Sequence, residues 1–237
     1  MRLAWIEPGQ PFPPADRAMR EPNGLLAAGR DLGAHRLLEA YRQGIFPWYE
    51  EGQPVLWWSP DPRMVLHLDE LRITRSFAKV LRRIAREQRW RLTLDRCFER
   101  VMRECAAPRD GQPGTWITGD IVAAYSELHR CGHAHSVEVW EGDTLQGGLY
   151  GVSIGRMFFG ESMFSRVPEA SKYALVCLAA TLRKAGFTVI DCQQNTRHLA
   201  SFGAREIGRA TFLRVVAERC ALPAPDWSCM SPEVPDA

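Results

Sequence analysis

An acid and an amide flanking a cysteine, and an acid followed by hydroxyls, are the side chains of this sequence with the most chemical reach. Asp191-Cys192-Gln193 closes the apolar run that begins at Phe187. Alternation along a strand puts Asp191 and Gln193 on one face and Cys192 on the other. A carboxylate beside an amide can orient a nucleophile and manage its proton. The plainer alternative is that Asp191 caps the following turn and Gln193 bonds backbone. Gly160-Glu161-Ser162-Met163-Phe164-Ser165 ends a second strand-like run and resembles part of a serine-hydrolase elbow, but Phe164 stands where the second glycine belongs. Ser162 and Ser165 fit equally well as partners for backbone groups at a strand end, and Glu161 as a surface acid. Nothing in the sequence sets a histidine beside Cys192, so a packed thiol outweighs a nucleophile.

His129, His133 and His135 cluster, but they straddle a helix end and follow neither the His-Glu-x-x-His nor a cysteine-histidine zinc spacing, so no metal is expected. There is no Gly-x-x-x-x-Gly-Lys-Ser/Thr and no strand-linked Gly-x-Gly-x-x-Gly, so no cofactor and no ATP are expected. At 237 residues, with 46% hydrophobic and 24% charged residues, the composition is that of a soluble globular protein. No run of about 18 apolar residues spans a bilayer and Met1 to Pro8 lacks a signal-peptide core, which predicts a cytoplasmic protein without membrane contact. The seven cysteines contain no Cys-x-x-Cys pair and read as reduced, mostly buried thiols.

The net charge of +2 conceals an asymmetry: residues 72–109 carry twelve Lys/Arg against four Asp/Glu, and the remainder 18 against 24. Arg75, Lys79, Arg82, Arg83 and Arg86 fall on one face of a predicted helix over 73–86, with Phe77, Val80, Leu81 and Ile84 on another. Trp48, Trp57, Trp58 and Trp116 sit in loops or at strand ends. Exposed rings beside a basic helix suit single-stranded nucleic acid, where rings stack on bases and Arg/Lys track phosphate. Core tryptophans and a solvated arginine-rich helix explain the same residues, and composition does not choose between them.

These side chains need elements to hold them. The first thirty residues are rich in Pro, Gly and Arg and are expected to be irregular. A short helix with Asp31 as N-cap and Leu37, Leu38 and Tyr41 as its stripe stops at Gly44. Val55–Trp58 starts strand-like and ends in turn residues, placing a domain boundary near Pro60 to Pro62. Trp90–Leu94 predicts a strand, 97–105 a helix, and a loop through Pro108, Gly111, Pro113 and Gly114 delivers Trp116 before a helix over 121–130. Ser136–Trp140 and two strands around Ser153-Ile154-Gly155 form a meander. Glycines 147, 148, 151 and 160 within it suggest bulges, or a backbone kept bare for a substrate. A helix starting at Pro168, the Phe187 strand and two short helices complete an α+β order with a mostly antiparallel sheet.

Longer motifs run through most of the chain: Glu21-Pro-Asn-Gly-Leu-Leu26, Gly44-Ile-Phe-Pro-Trp48, Trp57-Trp-Ser-Pro-Asp-Pro-Arg63, Gly114-Thr-Trp-Ile-Thr118, Gly132-His-Ala-His-Ser136, Gly160-Glu-Ser-Met-Phe-Ser165 and Asp191-Cys-Gln193. In type and order they resemble the leucyl/phenylalanyl-tRNA–protein transferase family. The resemblance implies a small N-terminal domain (1–61) and a Gcn5-related N-acetyltransferase-like domain (62–237). It implies transfer of Leu or Phe, and less well Met, from aminoacyl-tRNA to proteins beginning with Arg or Lys, marking them for degradation. It also implies that Trp48 and Trp116 hold the terminal adenosine, that Leu149 and Leu178 line the amino-acid pocket, and that Glu161, Asp191 and Gln193 serve the reaction.

On that reading the donor is an activated ester and the reaction is aminolysis. An α-amine has a pKa near 8, so about a tenth is neutral at pH 7, and positioning outweighs a strong base. Gln193 is expected to bond the amine, Asp191 to orient Gln193, Glu161 to meet the acceptor's cationic end or the adenosine, and the basic helix to grip phosphate. Two rivals are an acyl-CoA-dependent N-acyltransferase, which wants a glycine-rich loop that Val167-Pro168-Glu169-Ala170 does not provide, and a non-catalytic tRNA-binding module, which leaves Asp191 and Gln193 idle.

Overall fold

The computed structural model describes residues 3–108 and 115–235; Gly111, Pro113 and Gly114 lie outside them. A small sheet is built from β1 (Ala4–Ile6), β2 (Leu25–Gly29), β3 (Phe46–Pro47) and β4 (Val55–Trp58), in the order β1-β2-β4-β3. The expectation of an irregular first thirty residues is thus corrected. All five residues of β2 are buried, so it shows no alternation, and its partner β4 comes from some thirty residues downstream. Such a strand carries no local period to detect. Between these strands lies α1 (Ala34–Arg42), whose N-cap is Gly33 rather than Asp31; the Asp31 carboxylate accepts from the Gly33 amide instead.

The larger sheet comprises β5 (Arg63–His67), β6 (Arg91–Leu94), β7 (Ala134–Glu141), β8 (Thr144–Ile154), β9 (Met157–Ser165), β10 (Val189–Gln193) and β11 (Arg205–Ile207). Its order is β11-β5-β10-β9-β8-β7-β6, with β10 parallel to β9 and the other pairs antiparallel. The meander is present as β7-β8-β9. The sequence reading leaves Arg63 in turn residues and omits β5 and β11, because the five residues after Pro62 and the three of β11 carry little period of their own.

Helices cover both faces. On one, α2 (Arg75–Glu87) and α5 (Ala170–Lys184) pack on Val137, Val139, Leu149, Phe158 and Ile190. On the other, α3 (Phe98–Ala106) and α4 (Gly119–Arg130) pack with α1 on Tyr150, Val152 and Phe159. Two further helices, α6 (Arg197–Ser201) and α7 (Arg209–Cys220), close the order. This is the α+β arrangement of a small N-terminal unit and a larger unit built on the seven-stranded mixed sheet. α2 starts where Thr74 accepts the Phe77 amide and buries Phe77, Leu81 and Ile84, leaving its basic row exposed. α5 begins two residues after Pro168, behind Glu169 at φ 74°.

Gly151 and Gly160 flank a bulge, as expected, and Gly160 borders the cleft, while Gly147, Gly148 and Gly151 serve close packing. A Cβ on Gly147 would meet Ala170 at 2.6 Å, and one on Gly151 would meet the Phe159 carbonyl at 2.3 Å. The cysteines correct the expectation of mostly buried thiols: Cys105 and Cys177 are buried, Cys131 and Cys229 exposed, and the other three lie between.

Candidate active site

Two β-bulges in neighbouring strands build the centre of the site. In the β8/β9 pair Tyr150 faces Ser162 while Gly151 faces Gly160, which leaves Glu161 as the extra residue. In the β10/β5 pair Asp191 faces Val65 and Gln193 faces Met64, which leaves Cys192 unpaired. A bulge re-aims the side chains around it. These two turn Glu161 and Gln193 toward each other, and Gln193 Nε2 donates to Glu161 Oε1 at 2.8 Å. The expectation that Asp191 and Gln193 meet by simple alternation is therefore corrected. Gln193 sits at φ 60°, a left-handed conformation of order 1 kcal/mol or more for a non-glycine residue. Its amide donates to Asp191 Oδ1 at 2.9 Å, which with the Glu161 bond holds it there.

Glu161 is ringed by neutral donors. Tyr41 of α1 donates to Oε1 at 2.7 Å and Tyr125 of α4 approaches Oε2 at 3.3 Å, while the two tyrosine hydroxyls share a short hydrogen bond. Burial, reinforced by the charge of Asp191, pushes the Glu161 carboxyl up to about 7; the tyrosine hydrogen bonds and Arg63 oppose the rise. Burial and the neighbouring Glu161 also hold both phenols well above their usual range, so they remain neutral donors.

Asp191 is treated the opposite way. Its side chain and that of Arg63 are both fully buried, and Arg63 Nε and one terminal nitrogen reach the two carboxylate oxygens at 2.8 and 2.7 Å. The other terminal nitrogen donates to the Gly44 carbonyl at 3.3 Å, and the guanidinium lies between the rings of Phe46 and Phe212 at 4.6 and 4.5 Å. A bidentate pair with its remaining donors satisfied is the arrangement in which burial of two charges is tolerated.

Of these groups, Glu161, Asp191 and Gln193 border a cleft of about 980 Å³. Leu149, Phe158, Leu175, Leu178 and Ile190 form its apolar wall, and Glu161, Gln193, Trp48 and Trp116 also line it. Trp48 is 42% exposed and packs edge-on to Trp58, whose indole donates to the Trp48 carbonyl at 2.7 Å. Trp57 and Trp58 are buried, so of the tryptophans proposed as exposed platforms they belong to the core. Cys192 borders the cleft, but burial and the charge of Asp191 push its thiol up, away from a thiolate. Arg75, Lys79, Arg82, Arg83 and Arg86 lie outside the cleft, on the exposed face of α2.

Sequence reasoning misses Tyr41, Tyr125 and Arg63. Tyr41 reads as part of the apolar stripe of α1, and nothing local distinguishes a phenol bound to a carboxylate 120 residues away. Asp95, His129 and His135 also come together, their ligand atoms within 4.8 Å of one another. His135 Nδ1 meets Asp95 at 2.7 Å, its Nε2 meets the Gly132 carbonyl at 3.2 Å, and His129 Nδ1 meets the Ala134 carbonyl at 2.8 Å. A cation there would have to displace these bonds.

Residues 65–217 match the family described as Leucyl/phenylalanyl-tRNA protein transferase, and residues 30–61 match its N-terminal domain family. Proteins named leucyl/phenylalanyl-tRNA–protein transferase align along most of the chain. The one from Bordetella petrii is 56% identical over 232 residues, 96% of this chain and 92% of that protein. The one from Cupriavidus necator is 58% identical over 226 residues, 94% of this chain and 90% of that protein. Among solved structures, L-PGS from Bacillus licheniformis aligns with a TM-score of 0.45 and 10% identity, covering 80% of this chain and 71% of that one.

Proposed function

The chain belongs to the leucyl/phenylalanyl-tRNA–protein transferase family, and we propose that it moves Leu or Phe, and less well Met, from aminoacyl-tRNA to the α-amino group of proteins that begin with Arg or Lys. The observation that carries this reading is a single cleft in which a carboxyl with its pKa near 7 stands beside an apolar wall and two tryptophans. The wall of Leu149 and Leu178 takes the amino-acid side chain. Trp48 and Trp116 stack on the terminal adenosine, a contact worth about 1–3 kcal/mol per base.

The acceptor's α-amine enters at Glu161. Its nitrogen attacks the ester carbonyl, the bond to the tRNA ribose oxygen breaks, and that oxygen takes up a proton as it leaves. Glu161 receives a proton from the attacking nitrogen and returns it to the departing ribose oxygen, so that carboxylate and neutral amine chemistry balance over the cycle. Its pKa is close to that of an α-amine, about 7.7–8.0, so the transfer runs with little driving force either way. Tyr41 and Tyr125 support both charge states, because their hydroxyls can redirect between the carboxylate and each other. Gln193 orients the amine through its side-chain amide. Asp191 acts at one remove: it is a positioning residue that fixes the Gln193 backbone and is itself fixed by Arg63.

The basic row Arg75, Lys79, Arg82, Arg83 and Arg86 holds tRNA phosphate. The two sheets support a division into an N-terminal domain over 1–61 and a transfer domain over 62–237. The reaction belongs in the cytoplasm, where charged tRNA is found, and among the described residues no helix is long and apolar enough to cross a membrane.

Purified protein, leucyl-tRNA carrying labelled leucine and a peptide starting with Arg decide the matter. Label should move to the peptide without ATP or coenzyme A. Binding of leucyl-tRNA without transfer would leave a binding module instead.

A further inference from the structure

Away from the cleft, the edge of the large sheet gathers three guanidiniums that no carboxylate answers among the described residues. Arg91 lies on the edge strand β6, Arg96 in the turn after it and Arg100 in the first turn of α3. Their guanidinium carbons lie 5.7, 5.5 and 5.6 Å from the centroid of one ring, Trp140, which stands directly across the β6/β7 pair from Arg91. All three are exposed. Neighbouring arginines are neutralised: Arg89 pairs with Glu141, and Arg103 with Glu99. Among the described residues no ion pair forms at Arg91, Arg96 or Arg100.

The arrangement is rigidly presented. Buried Glu138 accepts from the Thr93 hydroxyl and from the backbone amides of Arg96 and Cys97, and the Trp140 indole donates to Thr93 at 2.8 Å. An indole attracts cations, but it does not cancel the repulsion among three of them gathered at one ring. A polyanion does. The position is also informative. Trp140 belongs to the core on the α3 side of the sheet, whereas Val139 belongs with α2. The trio and α2 therefore lie on opposite faces of the sheet, and the C-terminal end of α2, with Arg86, leads through Trp90 into the β6 edge.

We propose that Arg91, Arg96 and Arg100 form a second phosphate-contact site for the donor tRNA, so that the nucleic acid reaches around the β6 edge from this site toward the C-terminal end of α2. The proposal rests on the reading that the donor is tRNA, and it adds a set of contacts remote from the cleft. Binding of uncharged tRNA to the wild-type chain and to Arg91→Gln/Arg96→Gln/Arg100→Gln, over about 50 to 300 mM NaCl, tests it. Each lost phosphate contact should flatten the slope of log affinity against log salt by about 0.7–0.9, so the triple variant should lose about two to three units of slope and about tenfold or more in affinity at physiological salt. In parallel, transfer from leucyl-tRNA should show a raised KM, while transfer from leucyl-adenosine, which has no phosphodiester, should be unchanged. Equal slopes and affinities would overturn the proposal, as would an equal loss with leucyl-adenosine, which would place the effect in the cleft or the fold. Should the wild-type chain transfer leucine from neither donor, the functional reading fails, and the tRNA-binding comparison still decides this site.

Discussion

Glu161 and Asp191 stand at bulges of adjacent strands, Asp191 fully buried and Glu161 partly so, and the protein treats them in opposite ways. Asp191 has a full counter-charge in a bidentate geometry with Arg63. Among the described residues, the hydrogen-bond donors to Glu161 are the neutral Tyr41, Tyr125 and Gln193, and its carboxyl rises to about 7. A carboxylate held in a buried bidentate ion pair is fixed in place and suits a scaffold. A desolvated carboxylate answered by hydroxyls keeps both states within reach near pH 7 and suits proton handling. Placing the two side by side lets one group be rigid while the other titrates.

The largest expected effect falls on the scaffold side. Arg63→Met strands a buried carboxylate and should lower the unfolding free energy by about 3–5 kcal/mol in a denaturant titration. Adding Asp191→Asn, which keeps an acceptor for the Gln193 amide, should recover most of that loss. A single variant within about 1 kcal/mol of wild type would end the distinction.

On the titrating side the pattern reverses. Glu161→Gln should slow transfer by about 10²-fold or more in single-turnover kinetics, yet change stability by no more than about 1 kcal/mol. The pH dependence gives the sign. Because the folded-state pKa of about 7 lies above the ordinary 4.5, ionisation favours the unfolded chain, and stability should fall as pH rises from about 4.5 to about 7. Transfer should instead rise over the approach to pH 7 as the base form appears. Both trends should vanish in Glu161→Gln, and a rate limb that survives there belongs to another group.

Smaller effects sharpen the contrast further. Trp48→Ala removes an exposed ring, so it should raise the KM for leucyl-tRNA by the roughly 1–3 kcal/mol of one base stack and leave the melting temperature nearly unmoved. An unaltered KM would take Trp48 out of adenosine binding. Smallest of all, Tyr41→Phe removes a hydrogen bond that stabilises the Glu161 carboxylate, and the acid limb of the rate profile should move upward from about 7. A downward shift would mean that Tyr41 stabilises the protonated form.

Much of the frame is legible in the sequence. The basic and apolar faces of α2 follow a 3.6-residue period, the meander follows a period of two, and Gly160 signals a bulge beside Glu161. Leu149 and Leu178, taken from family resemblance, do line the cleft. The β10 bulge leaves no such mark, because Gln193 adopts its left-handed conformation without a glycine. β2 is equally silent, since a short strand covered on both faces has neither alternation nor helical spacing.

What the sequence by itself determined is what repeats along the backbone: the faces of α2, the strands of the meander, the excess of cations over 72–109, and the motifs that tie the chain to its family. Only the tertiary structure decided which acid is paired and which titrates. That outcome depends on desolvation and on partners up to 128 residues away, with Arg63 brought to Asp191 and Tyr41 and Tyr125 to Glu161. Periodicity is a property of neighbouring dihedrals, whereas the energy of a buried charge is set by whatever the folded chain places within a few ångströms of it.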